Sequence, residues 1–329
     1  MLDDLNQFIF SSDTAFSIKA IEVFQFQYKY NEVYKRFVNS LNCTPSSINA
    51  IEQIPFLPIS IFKTHQVITT HFIPEKVFIS SGTSGFANSQ HFVKDLSLYD
   101  RSFTLSFEQF YGSIKDYCVL GLLPSYLERQ GSSLIYMVEK MMAASGHELN
   151  GLHLYDFKIL AEKLKKLEAL KQKTLLIGVT YALLDFAETF PMHLNNTIIM
   201  ETGGMKGRKK ELLRDEVHEK LKEAFMVDNI HSEYGMTELL SQAYAPSMGL
   251  FKTPEWMKIL IREEDDPLKL NSSVFKSLTG GINVIDLANI YSCSFIATDD
   301  MGKLNADETF EVLGRMDNSD IRGCSLLTL

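Results

Sequence analysis

The chain has 329 residues, 45% of them hydrophobic and 22% charged, with a net charge of −9. That length accommodates about two domains or subdomains around a sizeable core. The acidic balance argues against broad nucleic-acid binding, which needs a basic face to displace counterions. Cys43, Cys118, Cys293 and Cys324 have neither C-x-x-C spacing nor a matching His cluster, which argues against a structural zinc site.

The opening MLDDLNQFIF is acidic and lacks the basic stretch of a signal peptide, and no run approaches 18 consecutive apolar residues. Together with the scattered thiols, these features lead us to expect a cytoplasmic protein without a membrane span.

In chain order, apolar residues at loosely helical spacing over 15–41 predict one long or two shorter amphipathic helices. Residues 45–58 are punctuated by prolines and predict a surface crossing with one helical turn. A short strand over 76–80 runs into Ser80-Ser81-Gly82-Thr83-Ser84-Gly85. Strands and helices then alternate: a helix over 96–111, a buried strand over 117–123, and a helix over 132–145 closed by Gly146. Further on come a helix over 157–173, a strand over 174–179, a helix over 183–190, a strand over 197–201 and a charged helix over 209–225. This alternation predicts an α/β protein with a mostly parallel, helix-covered sheet. After about residue 240 only short apolar runs remain, at 257–261, 282–287 and 294–298, which predict a smaller β-rich subdomain.

Four stretches can carry chemistry, and each also has a plain structural reading. Ser80–Gly85 places glycines and hydroxyls where backbone N–H groups can cradle an anion, yet it fits neither a Walker loop, a dinucleotide fingerprint nor a nucleophile elbow, and a Ser/Gly turn explains it as well. Gly203 and Gly204 after a strand end allow close approach of a flat ring, or simply punctuate a helix start. In His231-Ser232-Glu233-Tyr234-Gly235-Met236-Thr237-Glu238, Tyr234 can stack on a base, Thr237 can donate to a phosphate and Glu238 can hold Mg²⁺; the alternative is a strand-to-helix junction capped by Thr237. In the tail, Asp299 and Asp300 are either a solvated turn or a ribose acceptor, with Arg315 within reach of nucleotide oxygens.

In this order the stretches resemble the adenylate-forming superfamily of acyl-CoA synthetases, peptide-synthetase adenylation domains and luciferase-like enzymes. The family's phosphate loop matches Ser81, Gly82, Thr83, Ser84 and Gly85; its paired glycines match Gly203 and Gly204; and its Tyr-Gly-x-Thr-Glu motif matches Tyr234, Gly235, Thr237 and Glu238. Its ribose aspartate falls on Asp300, and its Gly-Arg-x-Asp segment falls on Gly314, Arg315 and Asp317. The loop departs from the family in having Phe86-Ala87-Asn88 where Pro-Lys usually follows. Length and ending look most like the LuxE-type acyl-protein synthetases, relatives of phenylacetate-CoA ligase, with Cys324 at the position of their acylated thiol.

The resemblance implies an α/β adenylate-forming core over 1–240, a small β-rich subdomain over 241–312 and a hinge-like tail over 313–329, with the mobile C-terminal lid absent or vestigial. It implies ATP and Mg²⁺ as cofactors, with Glu238 as the metal ligand, and activation of a carboxylic acid, here a fatty acid. The acyl group would pass to Cys324, with CoA or a carrier protein as alternative acceptors and an acyl-accepting reductase as a partner. A nucleotide-binding protein without turnover is the alternative of a different class. Phe103, Phe107, Tyr181 and Phe186 are candidates to line an acyl or aryl pocket, or equally to pack the core.

Overall fold

The computed structural model describes residues 7–80, 88–123, 131–203, 212–264, 266, 268–270 and 277–316. The apolar pattern over 15–41 forms two helices, α1 (Phe16–Tyr30) and α2 (Glu32–Ser40). Asn31 separates them: its backbone is extended, and its side chain accepts from the Tyr34 N–H at 3.0 Å, capping α2. The proline-marked segment makes 3-10 turns and the two-residue strand β1 (Leu57–Pro58). There follow β2 (Lys76–Ile79), β3 (Gln90–Val93), α3 (Leu96–Tyr111), β4 (Cys118–Leu122), α4 (Ser133–Ser145) and β5 (Gly151–Leu152). Next come α5 (Phe157–Ala169), β6 (Thr174–Gly178), α6 (Thr180–Thr189), β7 (Thr197–Glu201), α7 (Arg214–Phe225), β8 (His231–Tyr234) and β9 (Ala243–Ala245). The chain continues through β10 (Met257–Arg262), β11 (Leu278–Asp286), β12 (Phe295–Leu304) and β13 (Phe310–Arg315), with no α-helix among the described residues of this stretch.

The chain divides into two units, one drawn from 1–77, 82–95 and 253–329, the other from 78–81 and 96–252. The second holds a six-stranded sheet in the order β5-β4-β6-β7-β8-β9, parallel except for β9. All five residues of β4 and of β6 are buried, so these strands read as continuous apolar runs, as a sheet covered on both faces requires. Leu160, Leu164, Leu183, Phe186, Leu221 and Phe225 of α5, α6 and α7 pack in one core cluster with Leu120, Leu122 and Leu176 of the sheet. Gly178 permits tight strand pairing, since a Cβ there would stand 2.7 Å from that of Leu122. From β4 the chain goes outward to β5, whereas from β6 it moves the other way to β7. That reversal lies at the carboxyl ends of β4 and β6, the position where open α/β sheets bind ligands.

The first unit is mainly antiparallel, in the order β1-β12-β11-β10 with β13 also on β12; β1 alone runs parallel to its neighbour. Its core brings Phe24, Tyr34 and Phe56 against Phe295, with ring centroids 6.0 to 6.2 Å from that of Phe295. Strand β12 runs well past the apolar run over 294–298, because its polar second half pairs with both β11 and β13. Among the described residues no helix is long and apolar enough to cross a membrane.

Candidate functional site

Strand β7 carries the apolar run Ile198-Ile199-Met200 into its last residue, the buried Glu201. Its Oε2 accepts from the Gly203 N–H at 2.8 Å and from the Thr180 hydroxyl at 2.9 Å. Its Oε1 lies 3.7 Å from Nε of Arg214 and 3.8 Å from Nε2 of His218. Ser232, its register partner on β8, lies beside it, and the Ser232 hydroxyl is 3.3 Å from His218 Nε2. Burial by itself pushes the carboxyl up, but His218, the charge of Arg214, Ser232 and the Gly203 N–H outweigh it and hold the group at about 2.

Gly203 adopts φ +73°, in the left-handed region. Its carbonyl accepts from the Thr180 N–H at 2.9 Å, so Gly203, Thr180 and Glu201 form a closed hydrogen-bonded ring. With both backbone polar groups engaged and no described atom within 4 Å of an added Cβ, Gly203 offers a bare face rather than hydrogen-bonding groups.

On β8, the buried Tyr234 ring meets Phe251 edge-on at 5.9 Å between centroids, and the Arg214 guanidinium lies 5.2 Å from the Phe251 centroid. Gly235 makes room for its neighbour: a Cβ there would stand 2.5 Å from Oε1 of Glu233 and 3.4 Å from Cγ of Gln242. Burial, then the charge of Glu201, push Glu233 up to about 8, so this carboxyl is mostly protonated near neutrality. Around it, Oε1 of Gln242 and the Tyr244 hydroxyl are buried without a hydrogen-bond partner among the described residues. Burial, then His218, push His231 down to about 4, and its Nδ1 is 3.3 Å from the Tyr111 hydroxyl. Thr237 and the buried Glu238 follow in a turn, with the Leu239 N–H donating to Met236 O at 3.1 Å. No helix begins there, so Thr237 is not an N-cap. Glu238 acts singly as a candidate ligand, since no group of three His, Cys, Asp or Glu side chains among the described residues could hold a metal ion.

In the first unit, Asp299 and Asp300 lie within β12 and not in a turn. Asp300 pairs in register with Arg315 on β13, whose guanidinium is 3.9 Å from Asp300 and 3.6 Å from Asp299; the Asp300 N–H donates to Thr298 Oγ1 at 3.2 Å. Behind this strand, the buried Arg262 donates to Ile282 O and Asn283 Oδ1 at 2.8 Å and to Thr298 O at 2.6 Å.

Ser81, Gly82, Thr83, Ser84, Gly85, Gly204 and Cys324 lie outside the described residues. Of the four aromatic pocket candidates, Phe103 and Phe107 line a cavity of about 260 Å³ with Ile114 and Met141, whereas Phe186 belongs to the core. Glu201, Arg214, His218, Phe251 and Arg262 are structural partners of the motifs to which sequence reasoning gave no role. For Glu201 a signal existed, a lone carboxylate closing an apolar strand.

A profile of the acyl-protein synthetase family LuxE matches residues 6–328. The chain belongs to the LuxE acyl-protein synthetase family. A search of curated protein sequences returned no match. This LuxE-family chain is similar in fold to ATP-bound MatB from Rhodopseudomonas palustris, at 17% identity and TM-score 0.53, over 73% of this chain and 47% of that one. It is also similar to O-succinylbenzoate coenzyme A synthetase (MenE) from Bacillus subtilis in complex with ATP and magnesium, at 18% identity and TM-score 0.52, over 75% of this chain and 51% of that one. A long-chain-fatty-acid-CoA ligase from Archaeoglobus fulgidus gives 16% identity and TM-score 0.50, over 73% and 51%. The LuxE-family chain thus has the α/β fold of the N-terminal domain of adenylate-forming enzymes, and it spans about half the length of these solved structures.

Proposed function

We propose that the chain activates a carboxylic acid, a fatty acid in the simplest reading, as its acyl-adenylate and passes the acyl group to a thiol. The observation that carries this is the juxtaposition at the ends of neighbouring strands: the bare face of Gly203 after β7 and the Tyr234-Gly235-x-Thr237-Glu238 segment after β8. Similar folds solved with ATP, and with ATP and magnesium, support the nucleotide.

In this reading an acid oxygen attacks the α-phosphorus of ATP, the bond to the bridging oxygen breaks, and pyrophosphate leaves. A thiolate then attacks the acyl carbon, and AMP leaves. Such chemistry depends on positioning and charge neutralisation more than on a general base. Tyr234 and Gly203, with Gly204, would bracket adenine; Asp300 and Arg315 would take the ribose; Thr237 would contact the α-phosphate. Residues 81–85 would hold the leaving phosphates. The carboxylate oxygens of Glu238 suit Mg²⁺, a hard cation, which when bound neutralises phosphate charge.

For the acceptor we assign Cys324. Cys118 and Cys293 are unsuited, since burial pushes their thiols up to about 11 and about 12. CoA as acceptor is the second reading, favoured by the CoA ligases of similar fold. Acid-dependent ATP–pyrophosphate exchange, run against fatty, aryl and hydroxy acids, tests the activation step, and ATP binding without exchange would point instead to a protein without turnover. Hydroxylamine-labile acyl label should vanish in Cys324→Ser; label that persists would refute that acceptor.

A further inference from the structure

We propose that Glu201 is a positioning residue that braces both sides of the base-binding slot, and so sets how firmly a stacked nucleobase is held. This rests on the nucleotide-binding reading above. Glu201 and Ser232 are in register at the end of the β7–β8 pairing, and Gly203 and Tyr234 each follow two residues later on their chains. One carboxylate reaches both. Through Oε2 it holds the Gly203 N–H at 2.8 Å and the Thr180 hydroxyl at 2.9 Å, while the Thr180 N–H holds the Gly203 carbonyl. The left-handed turn that exposes the bare face of Gly203 is therefore tied down on its N–H and C=O alike.

Through Oε1 the same carboxylate faces Arg214 at 3.7 Å, whose guanidinium lies over Phe251, whose ring in turn meets Tyr234. An ion pair that is buried on its carboxylate side, backed by a cation–π contact, holds the ring from behind. His218 and Ser232 complete the surroundings of the carboxylate, so its position is determined from β7, β8, α6 and α7 together. A slot whose two faces share one anchor has a set width, and displacement of a reacting assembly by as little as about 1 Å is enough to lower turnover strongly.

The test compares binding of ATP, GTP and inorganic triphosphate to the full chain by calorimetry, alongside KM and kcat for ATP in the exchange assay. Glu201→Gln keeps the shape and removes the charge. It should weaken ATP and GTP binding alike, ATP about tenfold, with triphosphate affinity changed less than about twofold. Arg214→Met, which loosens only the Tyr234 side, and Thr180→Val, which loosens only the Gly203 side, should each give part of that loss. These two carry the test if Glu201→Gln does not fold, as judged by circular dichroism. An unchanged ratio of ATP to triphosphate affinity in folded Glu201→Gln, or in both of the other variants, overturns the bracing role. A wild-type chain that binds no adenine nucleotide refutes the nucleotide-binding reading itself, which is a distinct result.

Discussion

The carboxyl of Glu233 occupies the space that a side chain on Gly235 would need: an added Cβ would stand 2.5 Å from Glu233 Oε1. Glycine in the Tyr-Gly-x-Thr-Glu segment is therefore explained by a contact within this chain. Gly235→Ala must displace the end of the Glu233 side chain, and because that tip can swing aside the cost lies at the low end of overpacking, about 1 kcal/mol. Urea unfolding should show that loss, and the ATP–pyrophosphate exchange rate should fall about tenfold through displaced Thr237 and Glu238. An alanine variant with wild-type stability and exchange would contradict the packing.

Glu201 gives the fold an acid-sensitive term. Its folded-state value, about 2, lies below the ordinary 4.5, so its stabilisation is fully present above about pH 4.5 and is lost as pH falls toward 2. Over that window the change amounts to about 3 kcal/mol. The stability gap between wild type and Glu201→Gln should be widest at pH 7 and shrink progressively toward pH 2.5. Denaturant midpoints at pH 7, 4 and 2.5 check this, and a gap independent of pH would refute it.

Glu233 acts in the opposite sense. Its folded-state value, about 8, lies above the ordinary 4.5, so the folded state holds the proton more tightly than the unfolded chain across that range. Its contribution is most favourable below about pH 4.5 and declines as pH rises to about 8. Glu233→Gln, permanently neutral, should melt higher than wild type at pH 8 and close to it at pH 5. Equal melting shifts at both values would show that Glu233 is ionised throughout.

Two arginines of the first unit should behave differently. Arg262 is buried and donates to three oxygens, so Arg262→Met should cost about 3 kcal/mol by leaving acceptors unsatisfied, and lysine, lacking the planar fork, should not restore it. Arg315 is half exposed, and its ion pairs with Asp299 and Asp300 are 3.6 to 3.9 Å long. Asp300→Asn should shift stability by less than about 0.5 kcal/mol, as exposed pairs do. The same variant should nonetheless raise KM for ATP about tenfold if Asp300 takes the ribose. A loss of stability that parallels the rise in KM would make Asp300 a structural residue.

Much of the unit that carries β4 to β9 was legible in the sequence, because β4, β6 and β7 are largely apolar runs separated by helices. Thr197–Glu201 coincides with its expected bounds, and Gly146, at φ +65°, closes α4 as anticipated. The first unit was less legible. Asp299, Asp300 and Lys303 break the apolar pattern of β12, yet they stay in the strand because β13 pairs with Asp300 and Lys303 and β11 with Met301 to Leu304. The site motifs stood out by composition, but their supports did not. Glu201, Arg214 and Phe251 are far apart in sequence and belong together only after β7, α7 and the segment beyond β9 have packed, so no local spacing announces them.

The discontinuous first unit also bears on the order in which the protein can be made. Gln27 on α1 donates to the carbonyl of Asn289, 262 residues later, and β1 finds its parallel neighbour only in β12. On a ribosome, the residues of α1, α2 and β1 emerge long before those partners exist, whereas the segment from 96 to 252 contains its own complete sheet. Nascent chains should therefore fold their middle first and hold an unsatisfied N-terminal segment in waiting, with aromatic residues such as Phe24 and Tyr34 exposed to chaperones for most of synthesis.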